Sequence, residues 1–167
     1  MRVAILALSL IFAWASQLHA QATPFYQEKQ IRVVVGFTTG GFYDRWARLL
    51  ARYMPKYIPG NPTFIVQNMP GAGSVVAANY VYSVAKPDGL TIGFPSSGLY
   101  LDQIVGRPEV KFDLRKFAWI GSPVTEPMIL YMRADSPYKS IADIKNAKEP
   151  PKCGSTGTVS TDFILAR

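Results

Sequence analysis

The chain has 167 residues and a formal net charge of +7 at pH 7, from 18 lysines and arginines against 11 aspartates and glutamates. The basic residues are scattered, whereas nucleic-acid binding needs a clustered positive surface, so that function is not expected. A single cysteine, Cys153, excludes an internal disulfide. The single histidine, His19, lies in a segment that we expect to be removed. The mature chain then has no Ser-His-Asp, Cys-His or His-ligated zinc chemistry.

Residues 1–20 have the layout of a secretory signal peptide. Met1-Arg2 is followed by a run of twelve uncharged, mostly apolar residues that ends at Trp14, and small residues come next. This run is too short for a membrane span, which needs about 20 residues. We predict cleavage after Ala20 or Ala22, export to the periplasm, and no membrane-spanning segment after cleavage. The alternative is an uncleaved N-terminal anchor.

The mature sequence begins with repeated units of strand, turn and helix. The predicted elements are, in chain order, a strand at Ile31–Phe37, a helix at Asp44–Met54, a strand at Thr63–Asn68, a helix at Val75–Ala85 and a strand at Leu90–Phe94. The first strand is a continuous apolar run, which is typical of a parallel strand buried on both faces. Successive units of this kind predict a parallel α/β sheet.

The first predicted helix has an apolar stripe and a basic side. Its apolar residues at helical spacing are Trp46, Leu49, Leu50 and Tyr53. We expect this stripe to be the buried face. The basic residues are Arg45, Arg48 and Arg52. They could clamp an anion, but a solvated face is the favoured interpretation. Asp44, in the first turn, complements the helix dipole, and as a catalytic base it would need a partner acid or metal that is not apparent.

The second half of the sequence does not continue the strand-turn-helix repeat. Met128–Arg133 is an apolar segment that predicts a strand of a second sheet. Ser140 followed three residues later by Asp143 resembles a capping box and predicts a short helix. A last helical segment is predicted at Ser160–Arg167.

Four turns share one design, in which small residues follow a strand and precede a helix. They are Thr38–Tyr43, Pro70–Ser74, Pro95–Gly98 and Gly154–Thr158. Helix N-termini leave backbone N–H groups unpaired and partly positive, so they hold anions without a cationic side chain. In open α/β sheets such turns gather at the carboxyl ends of the strands. One such turn is ordinary turn chemistry, but four in one chain favour an anion-binding cleft.

The turns do not match nucleotide or nucleophile motifs. The first has Gly36, Gly40 and Gly41, which is not a G-x-G-x-x-G fingerprint, and no Gly-Lys-Ser/Thr sequence is present. Ser97 with Lys86 could be imagined as a nucleophile pair, but their spacing does not support it. For Cys153, the sequence offers no evident general base that would activate its thiol. We therefore predict no catalytic residue, no cofactor and no metal.

The sequence resembles the periplasmic receptors of tripartite tricarboxylate transporters, also called Bug-type solute-binding proteins. The resemblance rests on IRVVVGFTTGGFYDRWARLLARYMP, IPGNPTFIVQNMPGAGSVVAANYVYSVAKPDG, KFAWIGS and GSTGTVSTD, and it extends from about Tyr26 to the last residue. It implies an α/β fold of periplasmic binding protein type II with two lobes, like a Venus flytrap. Residues 21–118 would form lobe 1, and residues 119–167 would begin an incomplete lobe 2.

The family also implies a non-enzymatic function. Such receptors enclose a small organic anion, usually a carboxylate, and deliver it to membrane permease subunits. Members are roughly twice as long as this chain, so the resemblance predicts a fragment. Thr38-Thr39 replaces the usual Ser/Pro-Pro before the glycine pair, which affects loop stiffness. Two alternatives remain: a ligand sensor that presents the loaded receptor to a signalling kinase, and an exported α/β hydrolase that uses Ser97 or Cys153.

The resemblance assigns ligand contacts by position. These are Thr39, Gly40, Gly41, Tyr43, Ser96 and Ser97 in the first lobe, and Gly154, Ser155, Thr156, Gly157, Thr161 and Asp162 in the second. The prediction is that backbone N–H groups and hydroxyls of both lobes face one shared gap.

Overall fold

The computed structural model describes residues 23–125, 131–149, 151, 152 and 154. The predicted signal peptide and the predicted helix at Ser160–Arg167 lie outside these residues. The strand predicted at Met128–Arg133 is described only at 131–133, which has no regular secondary structure.

The described residues form a small α/β fold with a three-stranded parallel sheet. The elements, in order, are β1 Gln30–Val35, α1 Phe42–Tyr53, β2 Thr63–Asn68, α2 Val75–Ser83, β3 Thr91–Phe94, α3 Leu99–Ile104 and α4 Ile141–Lys145. Short 3-10 turns occur at Met54–Tyr57, Ala72–Ser74 and Leu114–Lys116. The strand order is β2-β1-β3. The predicted parallel sheet and its strand-helix alternation are confirmed, with boundaries within two residues of the predicted ones.

β1 is the central strand and is covered on both faces. Val33 and Val35 are buried with Ala47 of α1 on one face. On the other face, Gly93 is the β3 partner of Val34 and lies against Val81 of α2. A strand with apolar contacts on both sides needs a continuous apolar sequence, which β1 has at Val33–Val35. Its first residues alternate, since Ile31 is buried between exposed Gln30 and Arg32.

The buried face of α1 differs from the predicted one. Asp44 and Ala47 are buried, whereas Leu49 and Tyr53 are each 45% exposed. The small side chain of Ala47 lets the helix backbone lie close to Val33 and Val35 of β1. The prediction of a buried stripe that includes Leu49 and Tyr53 is therefore wrong, because close packing on the sheet favoured the face with the small residue over the face with the bulky ones.

A second apolar cluster lies between α2 and the segment that follows α3. It contains Val75, Ala78, Leu99 and Phe112. Pro95–Gly98 connects β3 to α3, so this cluster anchors the helix that follows the third turn.

The helix predicted after Ser140 is confirmed. α4 begins with a capping box in which the Asp143 N–H donates to Ser140 Oγ at 3.1 Å and the Ser140 N–H donates to Asp143 Oδ2 at 2.8 Å. Across the part of the chain that the structure describes, no helix is both long and apolar enough to cross a membrane.

Candidate functional site

The first three predicted turns meet at the carboxyl edge of the sheet. The three strands are parallel, so the segments that follow them leave the sheet at the same edge. Backbone hydrogen bonds hold these exits side by side. The Met69 N–H donates to the Val35 carbonyl at 2.7 Å, and the Gly36 N–H donates to the Phe94 carbonyl at 3.2 Å. The turns therefore form one continuous surface.

Tyr43 and Ser97 connect the first turn to the third. The Ser97 N–H donates to the Tyr43 hydroxyl at 3.3 Å, and the two hydroxyl oxygens are 3.4 Å apart. The Tyr43 ring is stacked on Phe37, with centroids 4.3 Å apart, and meets Phe94 edge-on. The ring is thus held at the end of β1 and β3, and its hydroxyl lies at the surface between the two turns.

Ser74 connects the second turn to the third and is absent from the predicted site residues. It is fully buried, and its Oγ accepts a hydrogen bond from the Ser96 N–H at 3.0 Å. The residue that follows β1 passes against it, since a Cβ on Gly36 would overlap the Ser74 hydroxyl. A serine after Gly-Ala-Gly at a helix start suggests a helix cap, but this side chain makes no capping bond. Its actual role depends on a tertiary contact that the sequence does not show.

Asp44 is a buried carboxylate at the base of the first turn. It is only 1% exposed. Its Oδ2 accepts hydrogen bonds from the Gly40 N–H at 2.8 Å and from Arg48 Nε at 2.9 Å, and its Oδ1 accepts one from Asn68 Nδ2 at 2.9 Å. The bond from Arg48, followed by the bond from Gly40, holds the pKa of the Asp44 carboxyl well below its usual range, although burial acts in the opposite direction. Asp44 is therefore ionised in the folded protein.

Asn68, the last residue of β2, extends this network to the other side of the turn. Its Nδ2 also donates to the Phe37 carbonyl at 2.9 Å. Its Oδ1 accepts from the Thr39 hydroxyl at 3.1 Å and from Arg48 Nη2 at 3.3 Å. Arg48 is exposed, as expected for a solvated face, with half of its side-chain surface open to solvent, but its guanidinium also pairs with Asp44 and Asn68. Sequence reasoning missed both partners; the available signal was an aspartate and an arginine spaced i, i+4 beside the glycine pair.

Comparison with known proteins identifies the family. Residues 47–166 match the sequence model of a family described as tripartite tricarboxylate transporter family receptor. The chain belongs to this family.

Two curated relatives of this chain come from bacteria. A UPF0065 protein in the tcbD-tcbE intergenic region of Pseudomonas sp. (strain P51) is 32% identical over 138 residues, which is 81% of this chain and 40% of the relative. A UPF0065 protein in the gbd 5' region of Cupriavidus necator is 34% identical over 152 residues, which is 88% of this chain and 45% of the relative. The chain thus spans less than half the length of either relative. No solved structure gives a significant match.

Two predicted donors of the first turn have internal partners. The Gly40 N–H donates to Asp44, and the Thr39 hydroxyl donates to Asn68. α1 begins after Gly41 with no side-chain cap. Among the described residues, the N–H groups of its first turn therefore have no capping partner, which leaves them for solvent or a ligand. Gly40 has a φ of +86° and no atom within 4 Å of an added Cβ, so the turn is open on this side.

The predicted second-lobe site residues are mostly outside the described part of the chain. Gly154 is described, and no other described residue has an atom within 4 Å of a Cβ added there. Ser155, Thr156, Gly157, Thr161 and Asp162 lie outside the described residues. Whether both sets of turns face one gap remains a prediction.

The opposite, amino edge of the sheet carries a half-open groove of about 390 Å³. It is lined by Gln30, Arg32, Tyr80, Val84, Ala85, Lys86, Asp88, Leu90 and Thr91. Lys86 therefore lies at the opposite edge from Ser97, which rules out their use as a nucleophile pair. In the ranges that the structure describes, no group of three or more histidines, cysteines, aspartates or glutamates is placed to hold a metal ion.

Proposed function

We propose that this protein is a periplasmic solute-binding receptor that captures a small organic anion of the carboxylate class for a tripartite membrane transporter. The observation that carries the proposal is the uncapped N-terminus of α1 at the carboxyl edge of the sheet, next to the Tyr43 hydroxyl and the Ser97 N–H. Family membership supports the receptor role. The permease subunits of the transporter are the proposed partner, and the predicted residues 154–157, 161 and 162 are the proposed second half of the site.

The chemistry of this edge suits an anion that leaves unchanged. Backbone N–H groups and hydroxyls donate hydrogen bonds to a carboxylate, and each charge-assisted bond contributes about 1.5–3 kcal/mol. The helix dipole adds to the attraction for negative charge. The Ser97 hydroxyl contacts the Tyr43 hydroxyl, and the described residues give it no contact with a histidine, lysine or carboxylate that could act as its general base. The hydrolase alternative therefore lacks support at this site.

A thermal-shift screen tests the proposal. We expect at least one of citrate, glutamate, nicotinate and terephthalate to stabilise the full chain, by about 2.7 kcal/mol at 100 times its dissociation constant. The methyl esters of the same compounds are the matched control and should not stabilise it, since they lack the charge. Equal stabilisation by acid and ester, or none by any of the four acids, would contradict the proposal.

A tyrosine substitution tests the location of the site. Tyr43→Phe keeps the ring stacked on Phe37 but removes the hydroxyl, so we expect the dissociation constant of the best carboxylate to rise by a factor of roughly 2 to 12. Tyr80→Phe is the control, because the Tyr80 hydroxyl accepts a hydrogen bond from Arg32 at the opposite edge. Isothermal titration calorimetry measures both. A larger loss from Tyr80→Phe than from Tyr43→Phe would move the site to the amino edge.

A further inference from the structure

We propose that Asp44 is the positioning residue of the binding turn: together with Arg48 and Asn68 it holds residues 38–41 in the shape that presents the start of α1 to the ligand. This inference rests on the proposed function and concerns the same site. We call these three residues the turn lock.

The turn lock joins three separate parts of the fold through one carboxylate. Gly40 belongs to the turn, Arg48 lies one helical turn further along α1, and Asn68 ends the neighbouring strand β2. All three groups donate to Asp44, and both of its oxygens are used. A residue that served only the helix dipole would need no partner in β2.

Asn68 makes the lock specific for this turn. Its amide donates to the carbonyl of Phe37, and its carbonyl oxygen accepts from the hydroxyl of Thr39, so it holds the chain immediately before the glycine pair. Asp44 holds Gly40 from the other end. Side chains thus hold the segment between β1 and α1 from both ends. Gly40, which has a left-handed φ, lacks a Cβ and would otherwise allow this segment to change conformation.

The charges show that the lock positions the turn and does not attract the anion. A bare buried carboxylate beside an anion site would repel the ligand. Arg48 supplies the opposite charge, with its Nε 2.9 Å from Asp44 Oδ2, and Arg45 Nε donates to the Gly40 carbonyl at 3.0 Å. The Asp44–Arg48 pair is therefore neutral overall. Because Gly40 donates inward to Asp44, the amides that follow it at the start of α1 are the ones left to meet a ligand.

Amide hydrogen exchange tests the proposal on the full chain without any ligand. We expect Asp44→Asn to accelerate exchange at Gly40 by about tenfold or more, because a charge-assisted hydrogen bond is lost. Exchange at Val33 and Val34 in the sheet should stay nearly unchanged. Asp102→Asn is the matched control, since Asp102 is also buried and also paired with an arginine, Arg107, but makes no contact with this turn. It should leave Gly40 unaffected.

The direction of the change in binding separates positioning from electrostatics. The probe is whichever of citrate, glutamate, nicotinate and terephthalate stabilises the wild type most. Asp44→Asn leaves Arg48 with an uncompensated positive charge, so a purely electrostatic role predicts tighter binding of this carboxylate. A positioning role predicts weaker binding, by about tenfold. If the wild type binds none of the four, the proposed function fails, while the exchange result still decides whether Asp44 sets the turn.

Asn68→Ala covers the case in which Asp44→Asn does not fold. This variant keeps the charge pair of Asp44 with Arg48 and removes the hydrogen bonds that the Asn68 side chain makes from β2 to Asp44, Arg48 and the turn. We expect severalfold faster exchange at Gly40 and weaker carboxylate binding. Unchanged exchange at Gly40 in the folded variants, or an equal acceleration at Gly40 and throughout the sheet, would overturn the proposal.

Discussion

Asp44 has two roles at once, and its burial decides which one matters more. In the first turn of α1 its charge complements the helix dipole. Because the carboxylate is buried, however, it must also have hydrogen-bond partners, and it finds them in Gly40, Arg48 and Asn68. A single side chain thus links the helix start, the turn and the neighbouring strand. The dipole role could be read from the sequence position, whereas the linking role could not.

The acid stability of the protein should depend on Asp44. Its folded-state pKa is depressed, chiefly by Arg48, so its contribution to the free energy of unfolding is complete above the unfolded pKa of about 3.9 and is lost as the pH falls through the folded value. Urea denaturation between pH 7 and pH 2.5 should show a loss below about pH 4. Asp44→Asn should make this loss shallower.

Asp102 provides the control for that experiment because its shift has the opposite sign. Burial raises the pKa of the Asp102 carboxyl, and the hydrogen bond from Arg107 only partly offsets this. The folded state then binds its proton more tightly than the unfolded state, which adds stability as the pH falls. Asp102→Asn should therefore make the acid loss steeper. The same change of slope in both variants would contradict the assignment.

At the scale of elements, the site depends on how closely the turns approach one another. β1 ends at Val35 and not at the predicted Phe37. The next residue, Gly36, passes directly against the buried Ser74 at the start of α2. Ser74 in turn accepts a hydrogen bond from Ser96 after β3. The three strand ends are therefore held together by side-chain and backbone contacts beyond the sheet itself.

Replacing Gly36 should disrupt this junction. In Gly36→Ala the new Cβ overlaps the Ser74 hydroxyl, and the buried Ser74 side chain has no space into which it can move. Displacing Ser74 also breaks its hydrogen bond with the Ser96 N–H. We expect a loss of about 2–4 kcal/mol in the free energy of unfolding. Gly121→Ala is the control, since nothing lies within 4 Å of an added Cβ there, and its effect should stay within about 0.5 kcal/mol. Urea denaturation compares the two, and equal losses would show that Gly36 has room.

At the scale of the whole molecule, the described residues cover part of the proposed receptor. The sheet, α1, α2 and α3 lie within the range predicted for lobe 1, and α4 lies within the range predicted for lobe 2. The chain also spans only 40% and 45% of its two curated relatives. Enclosure of a ligand between two lobes therefore remains a proposal, and the first lobe supplies the part of the site that can be tested residue by residue.

Export is the prediction that concerns the whole chain. The signal peptide predicted at 1–20 should be removed when the gene is expressed in a Gram-negative host, and the periplasmic fraction should contain a chain that begins at Gln21, or at Thr23 for the second cleavage point. Intact-mass and N-terminal peptide analysis of that fraction gives the answer. A chain that keeps Met1 and stays with the membrane would instead support the uncleaved anchor.

The sequence alone determined the order and type of β1, α1, β2, α2, β3 and α4, the parallel sheet and the family, but it did not predict α3. These features depend on local patterns: apolar runs for buried strands, glycine and proline at turns, and a capping box at Ser140. Tertiary structure alone decided which face of α1 is buried, where Arg48 and Asn68 point, and that Ser74 joins two turns. Those outcomes depend on close packing and on the pairing of buried polar groups between distant segments. No local pattern encodes such contacts, because each partner acquires its role only when the three strand ends come together.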